Sequence, residues 1–136
     1  MSAEMFSGPW AEAWARELNS SEVYRSAATD WDGTLCFKLK ARDPSQERCI
    51  FLELQGGRCE VARLATEQDE QQAQFVLTAK ERVWKKLVEG RTEPLVMLMT
   101  GLIRFERGRL TDFAGHGKAA QELMRAAQRI DHSGSG

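Results

Sequence analysis

At 136 residues the chain fits one domain, large enough to bury a core. Its 19 Lys and Arg against 20 Asp and Glu, with a pI near 6.2, give no electrostatic reason to expect nucleic acid as a partner, and no dense basic run supports a purely electrostatic membrane attachment. The longest apolar run, Leu95 to Met99, falls far short of the ~20 residues that span a bilayer, and the first residues carry no secretion signal.

Cys36, Cys49 and Cys59 are odd in number and lack CxxC spacing, so reduced thiols in a cytoplasmic setting are expected. Pro9 to Leu18 reads as an amphipathic helix, with Trp10, Trp14 and Leu18 at four-residue steps. Asn19 followed by Glu22 reads as a capping pair, opening a short helix through Val23, Tyr24 and Ala27. After a turn at Asp32-Gly33, Leu35, Phe37 and Leu39 alternate with Thr34, Cys36, Lys38 and Lys40, the pattern of a half-buried strand. Asp43-Pro44-Ser45 breaks the chain. Ile50, Leu52 and Leu54 repeat the alternation, and Gly56-Gly57 predicts a tight hairpin into a third strand carrying Cys59 and Val61. The polar run Thr66 to Gln74 is expected to be a solvated connection, and Phe75 to Thr78 a fourth strand.

The segment Thr78 to Arg107 is the most informative. Thr78, with Glu81 three residues on, has the spacing of a capping box. Val83, Trp84, Leu87 and Val88 form one apolar stripe, and Gly90 is a natural stop for that helix. Glu93 and Pro94 suit the first turn of another short helix. Leu95, Val96, Met97, Leu98 and Met99 cover every face of it, which predicts a helix deeply buried or lining something greasy. Gly101 ends it, and Leu102 to Arg107 alternates as a fifth strand. Leu110 to Gly117 looks irregular, and Lys118 to Ile130 is a helix with Ala119, Ala120, Leu123, Met124, Ala127 and Ile130 on one face. A single domain over residues 1–131 is expected, followed by a polar tail, His132 to Gly136. Five strands with about five helices, the helices grouped at the start, after the fourth strand and at the end, predict an α+β layer structure with one sheet face covered.

The ordered series Thr78, Trp84, Gly90-Arg91 with Pro94, Met97 and Met99, Gly101, and the helix Lys118 to Ile130 resembles the sterol carrier protein 2 family of lipid-binding domains, in particular a stand-alone member of bacterial type. The resemblance runs in order through nearly the whole chain, with its specific part between Thr78 and Arg107. It implies a five-stranded mixed sheet with an apolar tunnel between the sheet and the C-terminal helices. It also implies non-catalytic binding and intracellular transfer of a fatty acyl chain or sterol-like molecule. The peroxisomal tripeptide that ends many animal relatives is not the final Gly-Ser-Gly of this chain.

On that resemblance Leu95, Met97, Leu98 and Met99 form one wall of the cavity. Ile103 and Phe105 supply its sheet side, Leu123, Met124 and Ala127 its last helix, Trp84 one end and Phe113 the mouth. Read from the residues alone, Met97, Met99 and Met124 are more simply ordinary core packing. Trp84 is equally a core tryptophan with its N–H bonded at the margin. Trp10 and Trp14 either anchor the first helix or form a patch for transient membrane contact. Arg104, Thr100 and His116 are the candidate head-group contacts. No P-loop, GxGxxG or nucleophile elbow occurs, two histidines and scattered cysteines give little support for a metal site, and neither an enzyme nor a cofactor is expected. An accessory role, presenting an isoprenoid or quinone-type lipid to a partner enzyme, stays open, as does an interaction module with a filled core. The oligomeric state is not legible.

Overall fold

The computed structural model describes residues 4–130, so the tail expected at residues 132–136 lies outside the described residues. Five strands are formed: β1 (Gly33–Lys40), β2 (Arg48–Gln55), β3 (Arg58–Leu64), β4 (Phe75–Lys80) and β5 (Arg104–Arg107). They make one sheet in the order β3-β2-β1-β4-β5. β1 runs parallel to β4, and the other neighbours are antiparallel, so the sheet is mixed as expected. Gly56 and Gly57 both have positive φ, 56° and 88°, and turn β2 into β3 as the predicted hairpin.

Leu35, Phe37 and Leu39 of β1, Ile50, Leu52 and Leu54 of β2, and Leu77 of β4 project from one face into the main core. That face is covered by α1 (Gly8–Asn19), α2 (Glu22–Ala27), α4 (Glu81–Val88), α5 (Pro94–Met99), α6 (Leu110–Ala114) and α7 (Gly117–Gln128), each of which contributes buried side chains to the same cluster. Trp14 is central to it. Its ring lies 5.2 Å from that of Trp10 and 4.8 Å from that of Phe37. Its indole N–H donates to the Leu123 carbonyl at 2.9 Å, joining α1 to α7. Trp10 and Trp14 are both buried, so neither forms the surface patch considered above.

Several local expectations are corrected. The cap of α2 is Ser21, whose hydroxyl accepts from the Tyr24 N–H at 3.0 Å. Asn19 instead ends α1, and its carboxamide both donates to the Cys59 carbonyl (3.1 Å) and accepts from the Cys59 N–H (2.8 Å). Thr78 does not cap α4. β4 continues through it to Lys80, the residue before that helix, because pairing with β1 extends to Lys40↔Lys80. β5 begins at Arg104 rather than Leu102, and the stretch read as irregular contains α6.

The polar run after β3 is not a plain solvated connection but α3 (Glu67–Gln72), opened by a capping box between Thr66 and Asp69. The described residues therefore form seven α-helices and a short 3-10 turn, rather than about five helices. The helices that bury side chains lie on one face, as expected, and α3 buries none of its own residues. Ala73 after α3 packs with Cys36, Phe51 and Val76 in a smaller cluster on the reverse of the sheet. Burial tends to raise the Asp69 pKa. Hydrogen bonds from Thr66 and the ion pair with Arg63 outweigh that and hold it below the ordinary carboxylate value. A depressed folded pKa contributes stability above the unfolded value of about 3.9 that is lost as pH falls through the folded pKa. Amide exchange in α3 is therefore expected to accelerate below about pH 4 before the central strands respond. Unchanged α3 protection relative to those strands would contradict the role given to this cap.

Candidate functional site

The apolar stripe of α4 is realised as read: Val83, Trp84, Leu87 and Val88 are all buried. Gly90 follows the helix end, and Pro94 occupies the first turn of α5, where its missing N–H costs nothing. After α5, Gly101 takes φ 80°, a conformation that suits glycine. The chain then folds back so that the Ile103 N–H donates to the Met97 carbonyl at 3.1 Å, and Ile103 is buried.

The all-apolar α5 is only half sequestered. Met97 and Leu98 face inward, and Leu95 packs partly against the core, but Val96 is 48% exposed and Met99 75% exposed. With Leu102, also about half exposed, they give the surface its greasiest stretch near this turn. Met99 thus lies on the outside of the helix whose inner side carries Met97.

The structure gathers most of the other candidates. Met97, Leu98, Ile103, Phe113, Leu123, Met124 and Ala127 are buried members of the main core cluster, against which Phe105 is packed. Trp84 belongs to the same cluster. Its indole N–H donates to the Lys38 carbonyl at 2.8 Å, and its ring lies 5.3 Å from Phe6. Phe113 is fully buried, its ring 5.7 Å from those of Phe75 and Trp31 and 5.5 Å from that of Phe105. His116 stacks on Trp31 at 4.5 Å, and Thr100 donates to the Val96 carbonyl at 2.7 Å, ending α5.

A groove of about 590 Å³ opens at the start of β5. Thr78 pairs with Arg104, so Ala79 and Lys80 run on with no strand beside them on that side. The space is bounded by the beginning of α4 and by the Gly101 turn. Its volume falls within the roughly 300–1,000 Å³ usual for small-molecule sites. Ala79, Val83 and Phe105 line it and are also part of, or packed on, the main core. Leu102 links it to the exposed side of α5.

Four cationic side chains, Lys40, Lys80, Arg82 and Arg104, line the groove with one acid, Glu106. Glu106 is engaged by Lys38 at 3.2 Å, and Lys40 by Glu47 at 3.5 Å. Lys80, Arg82 and Arg104 make no side-chain hydrogen bond or ion pair with another described residue. Thr78 also lines the groove. It is 9% exposed, and its Oγ1 has no hydrogen-bond partner among the described residues. These cations come from separate strands and a helix, so no basic run marked them in the sequence.

Cys36 and Cys59 are buried, and the hydrogen bond with Cys36, together with burial, pushes the half-buried Cys49 well above its ordinary value. Burial pushes Cys59 up to about 12. A hydrogen bond with Cys49 draws Cys36 below its ordinary value, but Cys36 has no exposed surface. Among the described residues no group of three or more His, Cys, Asp or Glu could hold a metal ion, and no helix is long and apolar enough to cross a membrane.

This architecture is that of a lipid-carrier fold, and comparison with known proteins agrees. The family model described as the SCP-2 sterol transfer family matches residues 12–106, and the chain belongs to that family. It is similar to a crystal structure of sterol carrier protein 2, at 36% identity over 94% of this chain and 100% of that one, with a TM-score of 0.84. It is likewise 36% identical to a conserved hypothetical protein from Thermus thermophilus, over 99% of this chain and 96% of that one, with a TM-score of 0.82. Apo sterol carrier protein 2 from Yarrowia lipolytica shares the fold at 18% identity, covering 87% of this chain and 88% of that one, with a TM-score of 0.56. No match was found among curated protein sequences.

Proposed function

We propose that the chain binds one lipid, a fatty acyl or sterol-like molecule, and carries it without chemical change. The observation that carries this reading is the floor of the groove. Ala79, Val83 and Phe105 join an open concavity to a core that includes both thioethers and alanines: Met97, Met124, Ala119, Ala120 and Ala127. Unbranched thioethers adapt to irregular apolar guests, and alanines leave room for a guest's methylenes. In this reading the hydrocarbon enters past Phe105 and Ile103 and lodges against Met97, Leu98, Leu123, Met124 and Ala127, with Phe113 and Trp84 as fixed aromatic walls.

The magnitudes suit a carrier. Each methylene removed from water contributes about 0.8 kcal/mol, so a dozen give roughly 10 kcal/mol before binding entropy is subtracted. What is left is affinity that still permits release.

Titration with a fluorescent fatty acid is expected to saturate at one molecule per chain. Met124→Trp is expected to weaken uptake at least about tenfold while costing under about 1.5 kcal/mol of stability, as a filled guest site would. Absence of saturable uptake by the unaltered chain, with no lipid seen by native mass spectrometry, would reject the carrier. A loss of stability of about 3 kcal/mol in Met124→Trp would show that the position was already packed solid.

A further inference from the structure

We infer that Cys36 and Cys49 form a reversible dithiol–disulfide site on the reverse face of the sheet, oxidised by a hydroperoxide. It is independent of the lipid reading, since both thiols belong to the small cluster on that face and not to the main core.

Strand register brings the two sulfurs together. Cys36 is opposite Phe51 and Cys49 opposite Lys38 in the β1–β2 ladder, so the cysteines are diagonal neighbours on one face. Diagonal Cα atoms lie about 7–8 Å apart, and a disulfide spans about 4.4–6.8 Å. The thiols are already hydrogen-bonded to one another, so their side chains close most of that gap. The strands then need to move by only about 1 Å. A link made under such tension is readily reduced, which makes it reversible and not a permanent staple. Next to this pair, Ala65 and Ala73, just before and just after α3, pack on the same cluster. The Arg107 guanidinium ties that helix down by donating to the Glu70 and Ala73 carbonyls at 2.7 and 2.9 Å. α3 is therefore the cover that an oxidant must pass.

The two thiols differ in what they can do. The hydrogen bond from Cys49 favours the Cys36 thiolate, helped by Arg107 and opposed by burial, Glu70 and Asp69. The same bond, with burial, keeps Cys49 protonated, although Lys38 opposite it pulls the other way. Cys36 is therefore the nucleophile and Cys49 the proton donor. The Cys36 thiolate attacks the O–O bond and becomes a sulfenic acid. The alkoxide that leaves takes the Cys49 proton and departs as an alcohol, or as water when the oxidant is hydrogen peroxide. The Cys49 thiolate then attacks the sulfenic sulfur, closing the S–S bond and expelling hydroxide. The proton that Cys36 released on ionising converts this hydroxide to water. Two thiols thus lose two electrons and two protons, and the hydroperoxide gains both. Cys59 is the internal control: it lies in the main core, its thiol bonded to the Val61 carbonyl at 3.2 Å.

The test exposes the folded, fully reduced chain to hydrogen peroxide at neutral pH and follows it by intact mass and peptide mapping. The expected product has lost two hydrogens, links Cys36 to Cys49, keeps Cys59 as a free thiol and is fully restored by dithiothreitol. Cys49→Ser is expected to abolish the link and leave a sulfenic acid at Cys36 that dimedone traps. Cys36→Ala is expected to slow oxidation of Cys49 at least about tenfold, because the thiolate of the pair is gone. Thr66→Ala, which removes the cap of α3, is expected to speed formation of the link about threefold or more. Oxidation of Cys49 alone to a sulfinic acid, a link that includes Cys59 or joins two chains, or no reaction ahead of Cys59 overturns the site. An unchanged rate in Thr66→Ala overturns the cover assigned to α3. The mapping is made on the unaltered chain, so it decides the question even where Cys36→Ala fails to fold.

Discussion

Replacing Trp14 by alanine is expected to remove about 3–5 kcal/mol of stability, the usual cost of deleting a large buried aromatic side chain. Small domains have only about 5–15 kcal/mol in total, so this one change would bring the chain close to unfolding at ambient temperature. The reason is position. Trp14 sits between Trp10 and Phe37, joining the first helix to the central strand, and its N–H reaches α7 across 109 residues of sequence. Trp14→Phe separates the two contributions. It keeps most of the packing and removes only the indole hydrogen bond to the Leu123 carbonyl, for an expected loss of roughly 0.5–1.5 kcal/mol. Urea denaturation at constant m measures both, and a loss below about 1 kcal/mol for the alanine variant would show that α1 contributes little to the core.

The second large effect is expected in the β2–β3 hairpin, and it depends on which of two adjacent glycines is changed. A Cβ added to Gly57 would lie 2.7 Å from the Arg25 carbonyl oxygen and 3.1 Å from the Arg25 Cα. Both are backbone atoms of α2 and cannot swing aside. The left-handed conformation at φ 88° adds about 1–2 kcal/mol and the overpacking about 1–3, so Gly57→Ala should cost roughly 2–5 kcal/mol. Gly56 has φ 56° but nothing within 4 Å of such a Cβ, and Gly56→Ala should cost only the conformational part, about 1–2 kcal/mol. Equal losses at the two positions would mean that the approach of α2 to this turn does not constrain the fold.

Sequence reasoning was strongest where one physical pattern acted alone. The two-residue alternation of β1 and β2, the stripe Val83, Trp84, Leu87 and Val88, and the glycine pair of the hairpin all appear as read. Family resemblance supplied the sheet's mixed character, which alternation cannot express. Local signals failed where tertiary pairing competed with them. Thr78 and Glu81 have capping-box spacing, but pairing with β1 holds Thr78 in a strand. Asn19 and Glu22 have it too, but Ser21 is nearer and Asn19 is drawn to Cys59. The run Thr66 to Gln74 lacks an apolar stripe, so α3 had only its Thr66–Asp69 cap to reveal it, a spacing present in the sequence and passed over.

The candidate site was legible to the same degree. Periodicity identified which of the candidate residues are buried, since a residue spaced for the core lies in the core whether or not a guest shares it. The outward turn of Met99 was not legible, because an all-apolar helix gives no contrast between its faces. Nor was the cationic groove. Lys40 and Arg104 are brought to Lys80 and Arg82 by the β1–β4 and β4–β5 ladders.

The carboxamide of Asn19 has a consequence for how these molecules meet one another. β3 is an outer strand of the sheet, and an outer strand offers free amides and carbonyls to any passing chain. Asn19 satisfies both groups of Cys59 with the amide geometry a sixth strand would bring. At the opposite border, β5 is four residues long and carries Arg104, Glu106 and Arg107, a poor template for docking. One polar side chain and one short, charged strand thereby make both borders poor templates for a further strand, while the turn around Met99 keeps its apolar side chains in the open.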